Sequence, residues 1–136
     1  MAQDVLLFRE ARITLLKRAV FLLILGVMLI PIWPPDILHF YALYLTASAL
    51  MLQASTRGLW SAIVLAILGF CVLFLTFDYD AAWTEEGSYA GFFTVAGTIR
   101  RMFFNGYYPC LPWIAFLLAG MWLGRQELGD CRTLTR

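Results

Sequence analysis

The chain has 136 residues, 62% of them hydrophobic and 14% charged, and ten basic against nine acidic side chains leave a net charge of +1. Soluble domains carry about a quarter charged and somewhat under half apolar residues, so a single core of this size cannot hide the apolar excess, and lipid is the second apolar solvent it calls for. There is no basic patch for nucleic acid, and one histidine with no Cys/His cluster offers no multi-histidine metal site.

Four apolar runs are long enough to cross about 30 Å of hydrocarbon as helices. Residues 1–18 mix acids and bases, and the apolar run that follows has no small-residue cleavage pattern after it, so no signal peptide is read. The first run covers residues 15–33. Lys17 and Arg18 near its start can extend toward headgroups, and Pro31 stands near its end, where a missing backbone donor costs little. The second, residues 37–53, follows the breaker Pro34-Pro35-Asp36, and the Asp36 carboxylate is placed to cap it. The third, residues 59–77, is the most apolar, and the fourth, residues 108–124, contains PCLPWIAFLLAGMWLG.

Short connections make the first three spans antiparallel neighbours. The longer stretch between spans three and four, residues 78–107, opens with Asp78, Asp80, Glu85 and Glu86. Tyr89, Phe92, Phe93, Ala96, Ile99 and Phe103 then recur at helical spacing, which predicts a helix lying in the membrane interface; a short re-entrant segment is the competing reading. The expectation is an all-α integral membrane protein, one transmembrane domain over residues 1–136 with about four spans and an interfacial helix between the last two.

Lysine and arginine set the orientation. With the N-terminus in the cytoplasm, Arg9, Arg12, Lys17, Arg18, Arg57, Arg125, Arg132 and Arg136 fall inside, and only Arg100 and Arg101 outside. Both termini are then cytoplasmic. Rings gather at the outer boundary, with Trp60 and Trp122 near the inner one. Cys71, Cys110 and Cys131 lie too far apart to bridge and read as buried free thiols. Gly120 and Gly124 form a GxxxG on the fourth span, and small residues also line the third (Ala62, Ala66, Gly69) and second (Ala42, Thr46, Ala49). Such stripes let helix backbones approach closely in lipid, so Gly120 and Gly124 are expected to face the chain's own third span or a second copy.

Two clusters could carry chemistry. Asp36 and His39, three apart at a helix start, share a face. A carboxylate beside an imidazole fixes its tautomer and raises its basicity, as a general base needs. The plainer reading is a capping aspartate with a boundary histidine bonded to it. Arg100 and Arg101, with Asn105-Gly106 following, stand against the charge bias and suit a phosphate, a carboxylate or lipid headgroups, unless they pair with the acids of their own loop. No P-loop, GxSxG, HExxH or dinucleotide fingerprint is present.

WPPDILHFYALYL (residues 33–45) and FFNGYYPCLPWIAFLLAGMWLGR (residues 103–125) closely resemble a bacterial inner-membrane family similar to the heparan-α-glucosaminide N-acetyltransferases and, more distantly, to other membrane acyltransferases. FDYDAAW and SYAGFFTVAGTIRRMFF follow the same pattern, so the resemblance covers nearly the whole chain. It implies an acyltransferase-like module of the bacterial inner membrane, with acetyl-CoA as donor and a glycan or other envelope acceptor. Asp36 carries over on the Asp-Ile-Leu motif, and Asn105, Pro109, Pro112 and Trp113 on the fourth-span motif; the family's catalytic histidine is expected near its first span and is not carried onto His39. Family members begin with a span bearing an Asp-x-x-Arg-Gly type motif and continue beyond GMWLGR, so this chain looks like the middle of such a protein and is expected to be incomplete as an enzyme alone. The rival class is a non-enzymatic multi-pass partner or transporter-like component. The candidate residues are thus Asp36 and His39 for catalysis, and Arg100, Arg101, Asn105 and Trp113 for binding.

Overall fold

A computed structural model describes residues 2–33 and 35–130. It is all-helical: α1 (Ala2–Leu29), α2 (Leu38–Met51), α3 (Thr56–Thr76), α4 (Val95–Arg100), a π-helical turn (Arg101–Asn105) and α5 (Cys110–Asp130). Among the described residues the nearest thing to a strand is one isolated antiparallel bridge, Trp83 to Tyr89.

Local chemistry sets most boundaries. α3 starts where the Ser55 hydroxyl accepts from the Gly58 N–H, and α4 where Thr94 does the same for Gly97. The helical spacing noted from Tyr89 onward is realised only from Val95. Gly91 has φ +70° and turns the chain just before Thr94, leaving Tyr89 to pair with Trp83. At the far side, Gly106 lies so close to the Arg101 carbonyl that a Cβ there would collide with it. That approach ends the π turn, and α5 leaves at 47° to the segment before it.

The long helices form a row. α1 packs on α2, α2 on α5, and α5 on α3. Arg12 reaches Ala49 and Gly26 lies against His39, so α1 and α2 are antiparallel. Trp60 meets Trp122 with ring centroids 5.3 Å apart, and Phe70 shares a groove with Pro112, so α3 and α5 are antiparallel too. The ends of α1 and α3 and the starts of α2 and α5 thus meet at one end of the row, with the 78–107 connection across it.

The core between α3 and α5 is Leu59, Ile63 and Ala66 against Ala115 and Leu118, and a second cluster joins Phe40 and Tyr44 to Cys110. Of the two partners expected for the α5 glycines, the chain's own third helix does not take that place. Leu118 is only 3% exposed, whereas a Cβ at Gly120 or Gly124 would find nothing within 4 Å. The packing face runs through Ile114, Ala115, Leu118, Ala119 and Trp122, and Gly120 lies about 200° round from Leu118 at about 100° per residue. Within this chain the GxxxG therefore faces outward, not toward α3. Cys71 is also exposed rather than buried, Cys110 is buried, and both are free thiols. Cys131, Arg132, Arg136 and Pro34 lie outside the described residues.

Among the described residues, α3 alone passes by length and composition as a membrane-crossing helix, and α4, the π turn and α5 pass together as one bent pair. α2 has 14 residues where the sequence suggested a span over 37–53, and reaches about 21 Å at about 1.5 Å per residue. α1 runs 28 residues but carries Arg9, Glu10, Arg12, Lys17 and Arg18 within it. Helix length and composition thus support one crossing, or two if the bent pair is a single span.

The opposite end of α2 has no glycine cap, since Leu52 stays right-handed helical. Arginines serve the carbonyls there, with Met51 O also accepting from the Ala54 N–H at 3.0 Å. Arg125 donates to Ala54 O at 2.5 Å, Met51 O at 3.1 Å and Leu52 O at 3.0 Å, and Arg12 Nε donates to Ala49 O at 3.0 Å. Two cations at a helix C-terminus satisfy its free acceptors and complement its dipole.

Candidate functional site

Asp36 and His39 are both buried, 7% and 2% exposed, where α1 ends and α2 begins. One oxygen does most of the work. Asp36 Oδ2 accepts from Leu38 N at 3.1 Å, His39 N at 3.4 Å and His39 Nδ1 at 3.0 Å. Asp36 therefore caps α2 and holds the His39 ring at the same time. With an ionised carboxylate at Nδ1, the proton sits on that nitrogen and the basic lone pair falls to Nε2. Nε2 is buried and has no partner among the described residues. The Phe40 ring, 4.2 Å from His39 by centroid, walls one side.

α1 is part of this site through Gly26. A Cβ there would lie 2.5 Å from His39 N and 2.9 Å from Asp36 Oδ2, a separation real Cβ atoms essentially never show. Glycine lets the α1 backbone close over the pair.

Arg101 occupies the first position of the π turn and is 2% exposed. Its guanidinium carbon stands 3.8 Å from the Phe92 ring centroid, a cation–π stack, and its charge acts on the His39 ring. Nε and Nη1 are buried and find no partner among the described residues. The pairing of these arginines with Asp78, Asp80, Glu85 or Glu86 does not form: the ionic contact among the described residues is His39 with Asp36. Arg100, half-buried, donates instead to the Asp78 backbone carbonyl at 2.7 Å.

Asn105 is fully buried and ties the loop together. Its Nδ2 donates to Tyr79 O at 2.7 Å, its Oδ1 accepts from the Tyr89 hydroxyl at 2.6 Å, and its backbone carbonyl accepts from Trp83 Nε1 at 2.8 Å. Burial pushes the Tyr89 phenol above the usual tyrosine range, so it stays a donor to Asn105. Trp113 points outward, 51% exposed, near Phe116. Of the six candidates, then, Asp36, His39 and Arg101 share one neighbourhood, Asn105 braces the loop above it, and Arg100 and Trp113 turn elsewhere. Gly26, Phe92, Tyr89 and Trp83 belong to the surroundings as well. A glycine inside an apolar helical run was the available sign for Gly26; the loop aromatics gave none, because only the tertiary fold brings Tyr89 and Trp83 onto Asn105.

These features define a helical module with a histidine–carboxylate pair and an unpaired arginine buried at one end of its helix row. The family model for heparan-alpha-glucosaminide N-acetyltransferase, catalytic, matches residues 35–133, and the chain belongs to that family. The match takes in Asp36, His39, the two arginines and the whole of α5. No curated protein and no solved structure matches the chain.

Proposed function

We propose that the chain is a multi-pass membrane acyltransferase module of the bacterial inner membrane, both termini cytoplasmic, transferring an acetyl group from acetyl-CoA to a glycan or other envelope acceptor. The observation that carries the chemistry is the buried Asp36–His39 pair with Nε2 left open. In the proposed mechanism Asp36 holds the Nδ1–H tautomer and His39 Nε2 takes the proton from the acceptor as it attacks the thioester carbonyl; the C–S bond then breaks, and the imidazolium, balanced by Asp36, gives that proton to the departing coenzyme A thiolate. Arg101, in the same neighbourhood as the pair, holds the acceptor, and Asn105 braces the loop that carries it; Arg100 and Trp113, turned elsewhere, stand outside that surround.

Membrane residence is supported by what α3 leaves uncovered. A soluble core helix of this composition is mostly buried, yet only 17% of its most apolar window is, and Leu65, Leu68, Val72 and Leu75 stand out from the row. α1 likewise exposes Val20, Phe21, Ile24 and Met28. Four spans follow if α1 and α2 cross with help from neighbours, α2 continuing through its flanking turns. The proposal includes further helices acting with this module. Between Arg18 and Asp36, and between Tyr44 and Arg57, no ionisable side chain is available to line a path for the donor across the bilayer. The outward Gly120 and Gly124 suit such a helix or a second copy.

Purified chain in lipid is incubated with labelled acetyl-CoA and mixed glycan acceptors. No transfer above a heat-killed control is expected from this chain alone. Transfer abolished by His39→Ala would overturn that incompleteness and support His39 as the base; transfer unaffected by His39→Ala would remove His39 from the chemistry. The tautomer is read directly by nitrogen-15 NMR: Nδ1–H with an open Nε2 is expected, mixed in Asp36→Asn. A proton on Nε2 in the unsubstituted chain would remove His39 as a base.

A further inference from the structure

Arg101 is the buried charge that the proton transfer does not use. An arginine stays charged in a protein, and burying a guanidinium is costly unless its donors are met. Here two of its nitrogens, Nε and Nη1, meet no acceptor among the described residues, and the Phe92 face offsets only part of that cost. No carboxylate among the described residues comes within ion-pair distance. Beside it opens a cleft of about 360 Å³ between the turn after α1 and the loop before α4. Its lining includes Ile30, Pro31, Tyr89, Phe92 and Tyr107, and three of these belong to Arg101's surroundings: Phe92 carries the guanidinium, and Tyr89 and Tyr107 are within reach of its charge.

We propose that Arg101 is an anion subsite, at which the unused guanidinium donors receive a phosphate or carboxylate group that enters through this cleft. The fork of N–H groups matches planar, multi-oxygen anions, and a desolvated, aromatic-walled setting strengthens each charge-assisted bond. Glu86, exposed on the cleft rim, is the group that opposes entry. The assignment rests on the reading that places Arg101 among the binding residues. Its test measures binding and not turnover, so failure of acetyl transfer and failure of the subsite are separate results.

The full chain is placed in nanodiscs of phosphatidylcholine and titrated with inorganic phosphate and with acetate, sodium chloride keeping the ionic strength constant. Thermal unfolding is followed by tryptophan fluorescence; Trp83 packs edge-on to both Tyr89 and Tyr107. A saturable rise in Tm is expected with one or both anions. Arg101→Met, which keeps the stem and drops the charge, should weaken the response by at least about tenfold and melt higher than the unsubstituted chain when no anion is present. Glu86→Gln should tighten it. A parallel arm replaces part of the lipid with phosphatidylglycerol: a stabilisation there that Arg101→Met removes assigns the anion to a lipid headgroup, and a response to free phosphate or acetate assigns it to a soluble ligand. The nitrogen-15 resonance of Arg101 Nε should move with saturating anion, independently of whether any variant folds. No saturable response in either arm, an equal response in Arg101→Met, or an anion-free Arg101→Met that melts lower would overturn the proposal, the last by making Arg101 a structural cation.

Discussion

Gly26→Ala separates two physical effects of opposite sign. Alanine in a helix interior is favoured over glycine by about 0.5–1 kcal/mol, so local propensity alone makes the substitution stabilising. The new Cβ, however, would meet His39 N at 2.5 Å, Asp36 Oδ2 at 2.9 Å and His39 Cβ at 3.0 Å. The nearest of these is backbone, which cannot swing away, so α1 must lift off the start of α2 or the Asp36–His39 pair must shift. Overpacking costs about 1–3 kcal/mol, in the upper half of that range where the clash is with backbone, and subtracting the propensity gain from about 2–3 kcal/mol leaves a net loss of about 1–2.5 kcal/mol. Gly69→Ala is the matched control: it lies mid-helix in α3 with nothing within 4 Å of its Cβ position, so only the gain applies. Unfolding of the chain in detergent, followed by circular dichroism against denaturant or heat, reads both. If Gly26→Ala is as stable as the unsubstituted chain or more so, α1 does not close over the pair as described.

Leu118→Ala empties a filled place in the α3–α5 core and should cost about 2–5 kcal/mol in the same unfolding assay. Gly120→Leu, pointing out of the row, should leave that stability unchanged, while size-exclusion chromatography with light scattering shows whether a second copy had used the groove. Arg125→Met leaves the Leu52 and Ala54 carbonyls beyond α2 without their donor, Met51 O keeping the Ala54 N–H, for an expected loss of about 1–3 kcal/mol; an unchanged melting temperature would mean water serves them equally well. Tyr89→Phe removes the 2.6 Å bond to Asn105 Oδ1 and should cost about 1–3 kcal/mol, with faster hydrogen exchange across the 78–107 connection as its signature.

The all-helical architecture was legible from run lengths alone, because an apolar stretch of this length has few other ways to satisfy its backbone. The capping role of Asp36 was legible for a similar reason: a carboxylate directly before an apolar run has free N–H groups within reach, and its oxygen meets those of Leu38 and His39. Helix facing was not legible on α5. GxxxG marks where a backbone can approach, but nothing local distinguishes an approach by α3 from one by another chain, and α3 chose the Ala115–Leu118–Ala119 face. The arginines divide along the same line. Sequence counted Arg125 as an inner-side charge; only the fold shows it closing the end of α2. Arg100 and Arg101 are adjacent in sequence, yet the π turn sends one to the Asp78 carbonyl and buries the other on Phe92. Family membership was readable from the motifs of α2 and α5, since these lie within the 35–133 match.

The account depends on the Asp36–His39–Arg101 end of the row facing the outside of a membrane that the helices cross. Single cysteines at Thr56 and Thr84, both exposed and at opposite ends of the row, test this in a chain freed of Cys71, Cys110 and Cys131. A third reporter, Thr133, lies outside the described residues and is expected on the Thr56 side. In intact cells a membrane-impermeant maleimide should label Thr84→Cys at once, and Thr56→Cys and Thr133→Cys only after permeabilisation. Labelling of Thr84→Cys from the cytoplasmic side alone would invert the orientation, and equal labelling of both ends without permeabilisation would contradict a membrane crossing altogether.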